Sequence, residues 1–217
     1  ILDGKVKHAV NFGGGMHHAS RDHASGFCIY NDCAVGISHL LEQGVSRVVY
    51  IDVDAHHGDG TQSIFWDDPR VMTISIHETG MSLFPGTGFS NEVGPEGEAA
   101  GTAVNIAMPP TTTDSGWLRA FNAVVPSLLR EFQPEVILSQ HGCDTHMNDE
   151  MSHMSISINA QQEIAAQISL LADELCEGRW IATGGGGYSV YDAVPRSWTH
   201  LRTVAAGQPL GVYQPTP

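Results

Sequence analysis

The sequence predicts an α/β fold, a three-layer sandwich in which a mainly parallel sheet lies between helices. Two observations predict this class. Strand-like apolar runs alternate with helical segments along the chain, and each polar cluster described below follows a predicted strand. Sheets of this kind bind ligands at the carboxyl ends of their strands, so the second observation supports the first. A chain of 217 residues suits one domain, residues 1–217, with a sizeable core.

Six short runs are predicted to be strands, because they are apolar and are bounded by polar or glycine-containing turns. In chain order they are Val6–Phe12, Arg47–Asp54, Val71–His77, Thr102–Met108, Glu135–Gln140 and Trp180–Thr183. Helical segments separate most of them. We therefore expect crossover connections and parallel neighbours.

Five longer segments have the periodicity of helices. They are Asn31–Gln43, Gly60–Trp66, Ser115–Phe132, Ala160–Glu177 and Val194–Ala206. Asp114 is predicted to cap the third helix, and Asn159 with Gln162 resembles a capping arrangement for the fourth. The chain starts at Ile1 without methionine and ends in a Pro-containing tail, Gln208–Pro217, so we expect a fragment of a longer domain.

Composition argues against several classes of protein. The formal charge is -14 with only ten Lys and Arg, which argues against direct nucleic-acid binding. No apolar run reaches membrane-spanning length and no basic start with an apolar core suggests a signal peptide, so we expect a cytoplasmic protein without a membrane partner. Free thiols are expected at the four cysteines, which are Cys28, Cys33, Cys143 and Cys176.

The most informative stretch runs from Ile51 to Gly60, where a strand-like run leads directly into ionisable side chains. Alternate residues of a strand share a face, so Asp52, Asp54 and, if the extension persists, His56 lie on one side of the sheet. Two carboxylates on one buried face are costly without a cation or tight pairing. This stretch therefore predicts a metal site.

Three further clusters follow predicted strands. Glycines precede the tandem histidines His17 and His18, whose imidazoles could be held by surplus carboxylates such as Asp52 and Asp59. Asp144 could supply a third ligand to a catalytic zinc ion.

The last cluster is a run of four glycines, 184–187, followed by Tyr188. This phenol could serve the site or simply pack against the next helix. Two interpretations are also open for Phe84, which belongs to the long irregular segment Glu78–Gly101. Its ring could line a pocket, or it could pack against the core and hold the loop in place.

The motifs that carry these residues resemble the zinc-dependent histone deacetylase superfamily, and within it the bacterial acetoin utilization proteins and class I-like deacetylases. In order they are GGGMHHA, ASGFC, YIDVDAHHGDG, MTISIH, FPGTG, a late Gly-Cys-Asp and GGGGY, and they cover nearly the whole chain. The resemblance implies the arginase/deacetylase fold. Because that family normally begins upstream, with further strands and a rim aspartate, the resemblance also implies that the amino-terminal strands are missing.

The resemblance assigns roles residue by residue. It implies Zn²⁺, or Fe²⁺, on Asp54, His56 and Asp144, and a structural K⁺ near Asp52 and Ser75. The catalytic set that it implies is His17 and His18 with their carboxylate partners Asp52 and Asp59, together with Tyr188 as the group that polarises the substrate carbonyl. The implied substrate-binding residues are Gly26, Phe27, Phe84, Met151 and Gly186.

The function implied by the resemblance is hydrolysis of acetyl or other acyl groups from the lysine side-chain amine of proteins, by metal-activated water. Two alternatives stay open, a deacetylase of small acetylated amines such as acetylpolyamines and a non-catalytic zinc-binding remnant. A ureohydrolase of the arginase kind is disfavoured, because its second metal needs an Asp where this chain has His146. His146 and His153 are expected to face solvent, and the oligomeric state is left open.

Overall fold

Residues 1–208, the part of the chain that the computed structural model describes, contain six strands and five helices, which alternate except that the fourth strand follows the third without a helix. The strands are β1 (His8–Asn11), β2 (Val48–Asp52), β3 (Val71–Glu78), β4 (Ala103–Met108), β5 (Val136–Gln140) and β6 (Trp180–Thr183). The helices are α1 (Asp32–Glu42), α2 (Asp59–Ile64), α3 (Asp114–Phe132), α4 (Ile158–Leu175) and α5 (Ala193–Ala205). The predicted tail, apart from Gln208, lies outside the described residues.

The strands form one sheet in the order β1-β6-β5-β2-β3-β4, and every neighbouring pair is parallel. The predicted α/β class with a mainly parallel sheet is thus confirmed. Three of the four inner strands, β2, β3 and β5, are buried along their whole length, and the fourth, β6, has one half-buried residue, Ile181, as expected for apolar strands covered on both faces. Because all strands run the same way, their carboxyl ends lie at one edge.

Alternate residues of each inner strand belong to different halves of the core. Val49 and Ile51 of β2 pack in the cluster that contains side chains of α3, α4 and α5. Val48 and Tyr50 pack on the opposite face, with α1 and α2. The period-two alternation of a strand therefore divides the core and produces the three layers that the sequence predicted.

Two details of the sequence prediction are wrong because local hydrogen bonds differ from those expected. The fourth helix is capped by Ser157, whose Oγ accepts a hydrogen bond from the backbone N–H of Ala160, so it begins before Asn159. Asp114 does not cap the third helix, since its carboxylate accepts bonds from the backbone N–H and the hydroxyl of Ser157. Asp114 therefore links the first turn of α3 to the N-terminus of α4.

The cysteines agree with expectation. All four are free and buried, and burial raises the pKa of each thiol. Within residues 1–208 no helix combines the length and the apolar character that a membrane crossing requires.

Replacing Phe121 in α3 by alanine tests this description of the core. The ring is fully buried in the larger cluster. We expect Phe121→Ala to lower the free energy of unfolding by about 3–5 kcal/mol, measured by urea denaturation. Leu170→Ala on the exposed face of α4 is the control, and an equal loss in both variants would contradict the layer assignment.

Candidate metal centre and active site

The candidate site lies where the carboxyl ends of β2, β5, β6 and β1 meet. These strands are neighbours in the sheet, so the loops that follow them converge. Strand β2 ends at Asp52, two residues earlier than predicted, and the extension that would carry Asp54 and His56 on the same strand face does not persist. Both side chains instead come from the bend after the strand.

Asp54, His56 and Asp144 form a buried group whose candidate ligand atoms all lie within 4.8 Å of one another. His56 Nδ1 is 3.1 Å from Asp54 Oδ1 and 2.9 Å from Asp144 Oδ2. The backbone N–H of Ala55 donates to Asp144 Oδ1 at 2.9 Å. The three sequence-predicted ligands thus lie at one point, although the first two are about ninety positions away from the third.

This group fits a divalent cation on electrostatic grounds. Burial and the neighbouring charge of Asp54 raise the pKa of the Asp144 carboxyl, which reflects repulsion between two carboxylates removed from water. Burial opposes protonation of His56, yet hydrogen bonds to the two carboxylates raise its pKa to about 11. An Asp-His-Asp set that demands positive charge is chemically suited to Zn²⁺ or Fe²⁺.

The tandem histidines face the same cavity and each is held by a carboxylate. His17 Nδ1 lies 2.7 Å from Asp52 Oδ2, and that oxygen also accepts a bond from the Tyr50 hydroxyl at 2.8 Å. Burial disfavours protonation of His17, but the charges of Asp52 and Asp54 outweigh it and raise its pKa to about 9.

His18 differs from its neighbour. Its Nδ1 lies 2.7 Å from Asp59 Oδ1, and the centroids of the two imidazole rings are 4.0 Å apart. Burial and the charge of His17 lower the pKa of His18 below its ordinary value. With Nδ1–H donated to Asp59, Nε2 of a neutral His18 is free to accept a proton.

The glycines around the carboxylates are there because backbone must approach closely. A Cβ on Gly186 would collide with Asp144 Oδ2, and one on Gly142 would collide with Asp54 Oδ2. The N–H of Gly186 donates to Asp54 Oδ2 at 2.8 Å. Gly186, predicted to bind substrate, therefore lines the inner cavity and holds a candidate metal ligand.

An outer channel leads to this point. It is a cavity of about 330 Å³ lined by His18, Gly26, Phe27, His56, Phe84, Met151 and Tyr188. It shares residues with an inner cavity of about 200 Å³ that reaches the two carboxylates. All five predicted substrate-binding residues line one or both of these cavities, which lie away from the larger groove of about 700 Å³ along α1.

The two predicted channel aromatics lie on different loops. The centroid of Phe84 is 5.1 Å from that of His18, so this ring lines the channel rather than serving only to hold its loop down. Phe27 is 81% exposed and has a φ of 65°, in the left-handed region. Gly26 has a φ of 51°, and the turn is closed by two backbone hydrogen bonds between Ser25 and Cys28.

Tyr188 lies across the channel from Phe27, with 6.3 Å between ring centroids. It is 37% exposed, and burial together with the charges of Asp144 and Asp54 raises the pKa of the phenol. The phenol is therefore a hydrogen-bond donor over the whole neutral range.

Two polar residues of the site were missed by the sequence reasoning. Gln140 Nε2 donates to Asp54 Oδ2 at 2.8 Å, and Gln140 Oε1 accepts from the backbone N–H of Gly142 at 2.7 Å. Asp149 Oδ2 accepts from the backbone N–H of Tyr188 at 2.7 Å. The position of Gln140 at the end of a buried strand could have identified it, whereas nothing local distinguishes Asp149.

The expectation for the later histidines is half correct. His153 is 61% exposed in its side chain, as predicted. His146 is buried, which contradicts the prediction, because its backbone bridges to Ile156 and its ring accepts a bond from the N–H of Asn148.

Ser75, which was predicted to lie near a structural K⁺ together with Asp52, is next to Asp52 on the neighbouring strand, and its hydroxyl is hydrogen-bonded to His77 Nδ1 at 2.7 Å.

Substitution of Gly186 tests how closely the backbone must approach the ligands. We expect Gly186→Ala to weaken Zn²⁺ or Co²⁺ binding by roughly tenfold or more, because the new methyl group displaces Asp144. Titration calorimetry measures the affinity. Gly36→Ala in α1 is the control, since its Cβ would meet only Leu138 Cδ1 at 3.5 Å, and unchanged affinity in Gly186→Ala would contradict the packing argument.

Comparison with known proteins agrees with this geometry. A model of the histone deacetylase domain matches residues 1–205. The acetoin utilization protein AcuC of Bacillus subtilis (strain 168) is 47% identical over 201 residues, which cover 93% of this chain and 52% of the relative. AcuC of Staphylococcus aureus (strain COL) is 43% identical over 210 residues, 97% of this chain and 54% of the relative. This chain spans about half the length of these relatives, and it belongs to the histone deacetylase domain family.

Proposed function

We propose that the protein is a metal-dependent hydrolase that removes acetyl groups from lysine side-chain amines of proteins, with residues 1–217 forming part of one catalytic domain. One observation carries the proposal. The Asp54-His56-Asp144 group, the histidine pair and the Tyr188 phenol surround the inner end of a single channel. A site that only stores metal needs neither the paired histidines nor the phenol.

Amide hydrolysis needs a nucleophile, a stabiliser of the oxyanion and an acid for the leaving amine. A divalent cation on the three ligands would acidify water and polarise the acyl oxygen. His18, neutral and oriented by Asp59, accepts a proton at Nε2 and returns it to the amine. His17, held by Asp52, stabilises negative charge beside it.

Tyr188 supplies the remaining element. Its phenol keeps its proton at neutral pH and donates to the oxygen that becomes negative in the transition state. Asp149 fixes the backbone on which the ring is carried. Anchoring this backbone limits the positions that the ring can take, which reduces the cost of orienting the hydroxyl during the reaction.

The channel supports a linear acylated amine as the substrate class. Phe27 and Phe84 offer apolar surface to a methylene stem, and the cavity of about 330 Å³ that they line has room for one. The formal charge of -14 favours approach of basic protein segments. We also propose, from the family resemblance, a structural K⁺ near Asp52 and Ser75.

Removing the phenol hydroxyl tests the catalytic assignment. In the full-length protein we expect Tyr188→Phe to lower kcat on an acetyl-lysine peptide by about 10²–10³, with metal content unchanged, because one oxyanion donor is lost. Tyr191→Phe is a matched control, since Tyr191 is 98% exposed three positions along the chain. Equal activity in the two variants would refute the role of Tyr188.

His18→Ala should remove most activity, because it removes the proposed base, a histidine that lines the channel and whose pKa is lowered below its ordinary value by burial and by the charge of His17. The kcat on the acetyl-lysine peptide, measured together with metal content, distinguishes loss of the base from loss of the metal.

A comparison of the rates at which the wild-type protein cleaves the acetyl-lysine peptide and an acetylated polyamine decides between protein and small-molecule substrates. Turnover of neither, by protein that holds its metal, would favour the non-catalytic alternative.

A further inference from the structure

A buried carboxylate outside the reacting groups connects two walls of the channel. Glu78 is the last residue of β3, and its side chain is 0% exposed. A carboxylate so far from water must be satisfied by donors. Three donors surround it: the Ser82 hydroxyl and His153 Nδ1 bond Oε1 at 2.7 and 2.8 Å, and the His153 backbone N–H bonds Oε2 at 2.8 Å.

The donors come from two separate loops. Ser82 lies two residues before Phe84, and His153 lies two residues after Met151. Phe84 and Met151 both line the 330 Å³ channel. A single carboxylate therefore ties the loop that carries one channel side chain to the loop that carries the other.

The same residue is tied to the metal-binding segment. The backbone N–H of Glu78 donates to the carbonyl of Ala55 at 2.9 Å, and Ala55 lies between two candidate metal ligands. The carboxylate does not line either cavity that reaches those ligands. It can therefore act on the channel only through the loops that it holds.

We propose that Glu78 is a positioning residue that clamps the Phe84 and Met151 loops through Ser82 and His153 and so sets the width of the acyl-lysine channel. This inference rests on the proposed function, since it concerns substrate fit in that channel. The clamp acts on binding of the methylene stem. The reacting residues have supports other than Glu78: Asp59 binds His18, and Asp149, whose other oxygen accepts a bond from the backbone N–H of Met151, binds the backbone of Tyr188.

Variants of the two partners test the clamp without emptying the buried position. In the full-length protein we expect Ser82→Ala and His153→Ala each to raise KM for an acetyl-lysine peptide roughly three- to tenfold, the factor expected for one lost hydrogen bond. We expect kcat to stay within about twofold, because only uniform substrate binding is lost. Ser82→Thr, which keeps the hydroxyl, restores the KM, and His39→Ala on the exposed face of α1 is the unaffected control.

Amide hydrogen exchange supplies a readout that does not depend on turnover. We expect faster exchange in residues 79–90 of Ser82→Ala and in residues 151–155 of His153→Ala. An unchanged KM in both alanine variants overturns the proposal, and so does a fall in kcat that matches the change in kcat/KM. If the wild-type protein cleaves neither peptide nor acetylpolyamine, the proposed function fails, and the exchange rates alone decide whether Glu78 holds the two loops.

Discussion

Asp54 and Asp144 lie buried side by side, and the rest of the site is arranged around the cost of keeping these carboxylates away from water. His56 contacts both of them, and Gln140 and the backbone of Gly186 donate to Asp54. Donors can come this near only where no side chain intervenes, which explains the glycine loops after β5 and β6. The parallel sheet makes the arrangement possible, since it delivers these loops to one edge.

The sequence predicted the fold well where the pattern is strong and local. The apolar runs of β2, β3 and β5, bounded by polar residues and separated by helical segments, favoured buried strands in a mainly parallel sheet, which is the sheet observed. Polar residues at the ends of those runs then had to meet. The juxtaposition of Asp54, His56 and Asp144 was predicted in this way, and their role as metal ligands, which both the residues and the family resemblance indicated, stays a proposal.

What the sequence did not predict depends on partners that are distant along the chain. Glu78 and His153 are 75 positions apart, and neither belongs to a recognisable pattern with the other. The burial of His146 follows from a bridge to Ile156 that the hydrophobic periodicity does not encode. Likewise the role of Asp114 was mispredicted, because its carboxylate binds Ser157, which is 43 positions away along the chain, and does not cap α3.

The turn that carries Phe27 combines a strained backbone with an aromatic side chain at the channel mouth. Positive φ angles at both central positions, Gly26 and Phe27, are those of a tight hairpin turn in which the second position favours glycine. A bulky residue held there costs on the order of 1 kcal/mol. A glycine at position 27 would relax the backbone but would remove an aromatic surface from the channel mouth. A more stable turn and, under the proposed function, an aromatic contact with the substrate therefore make opposing demands on position 27.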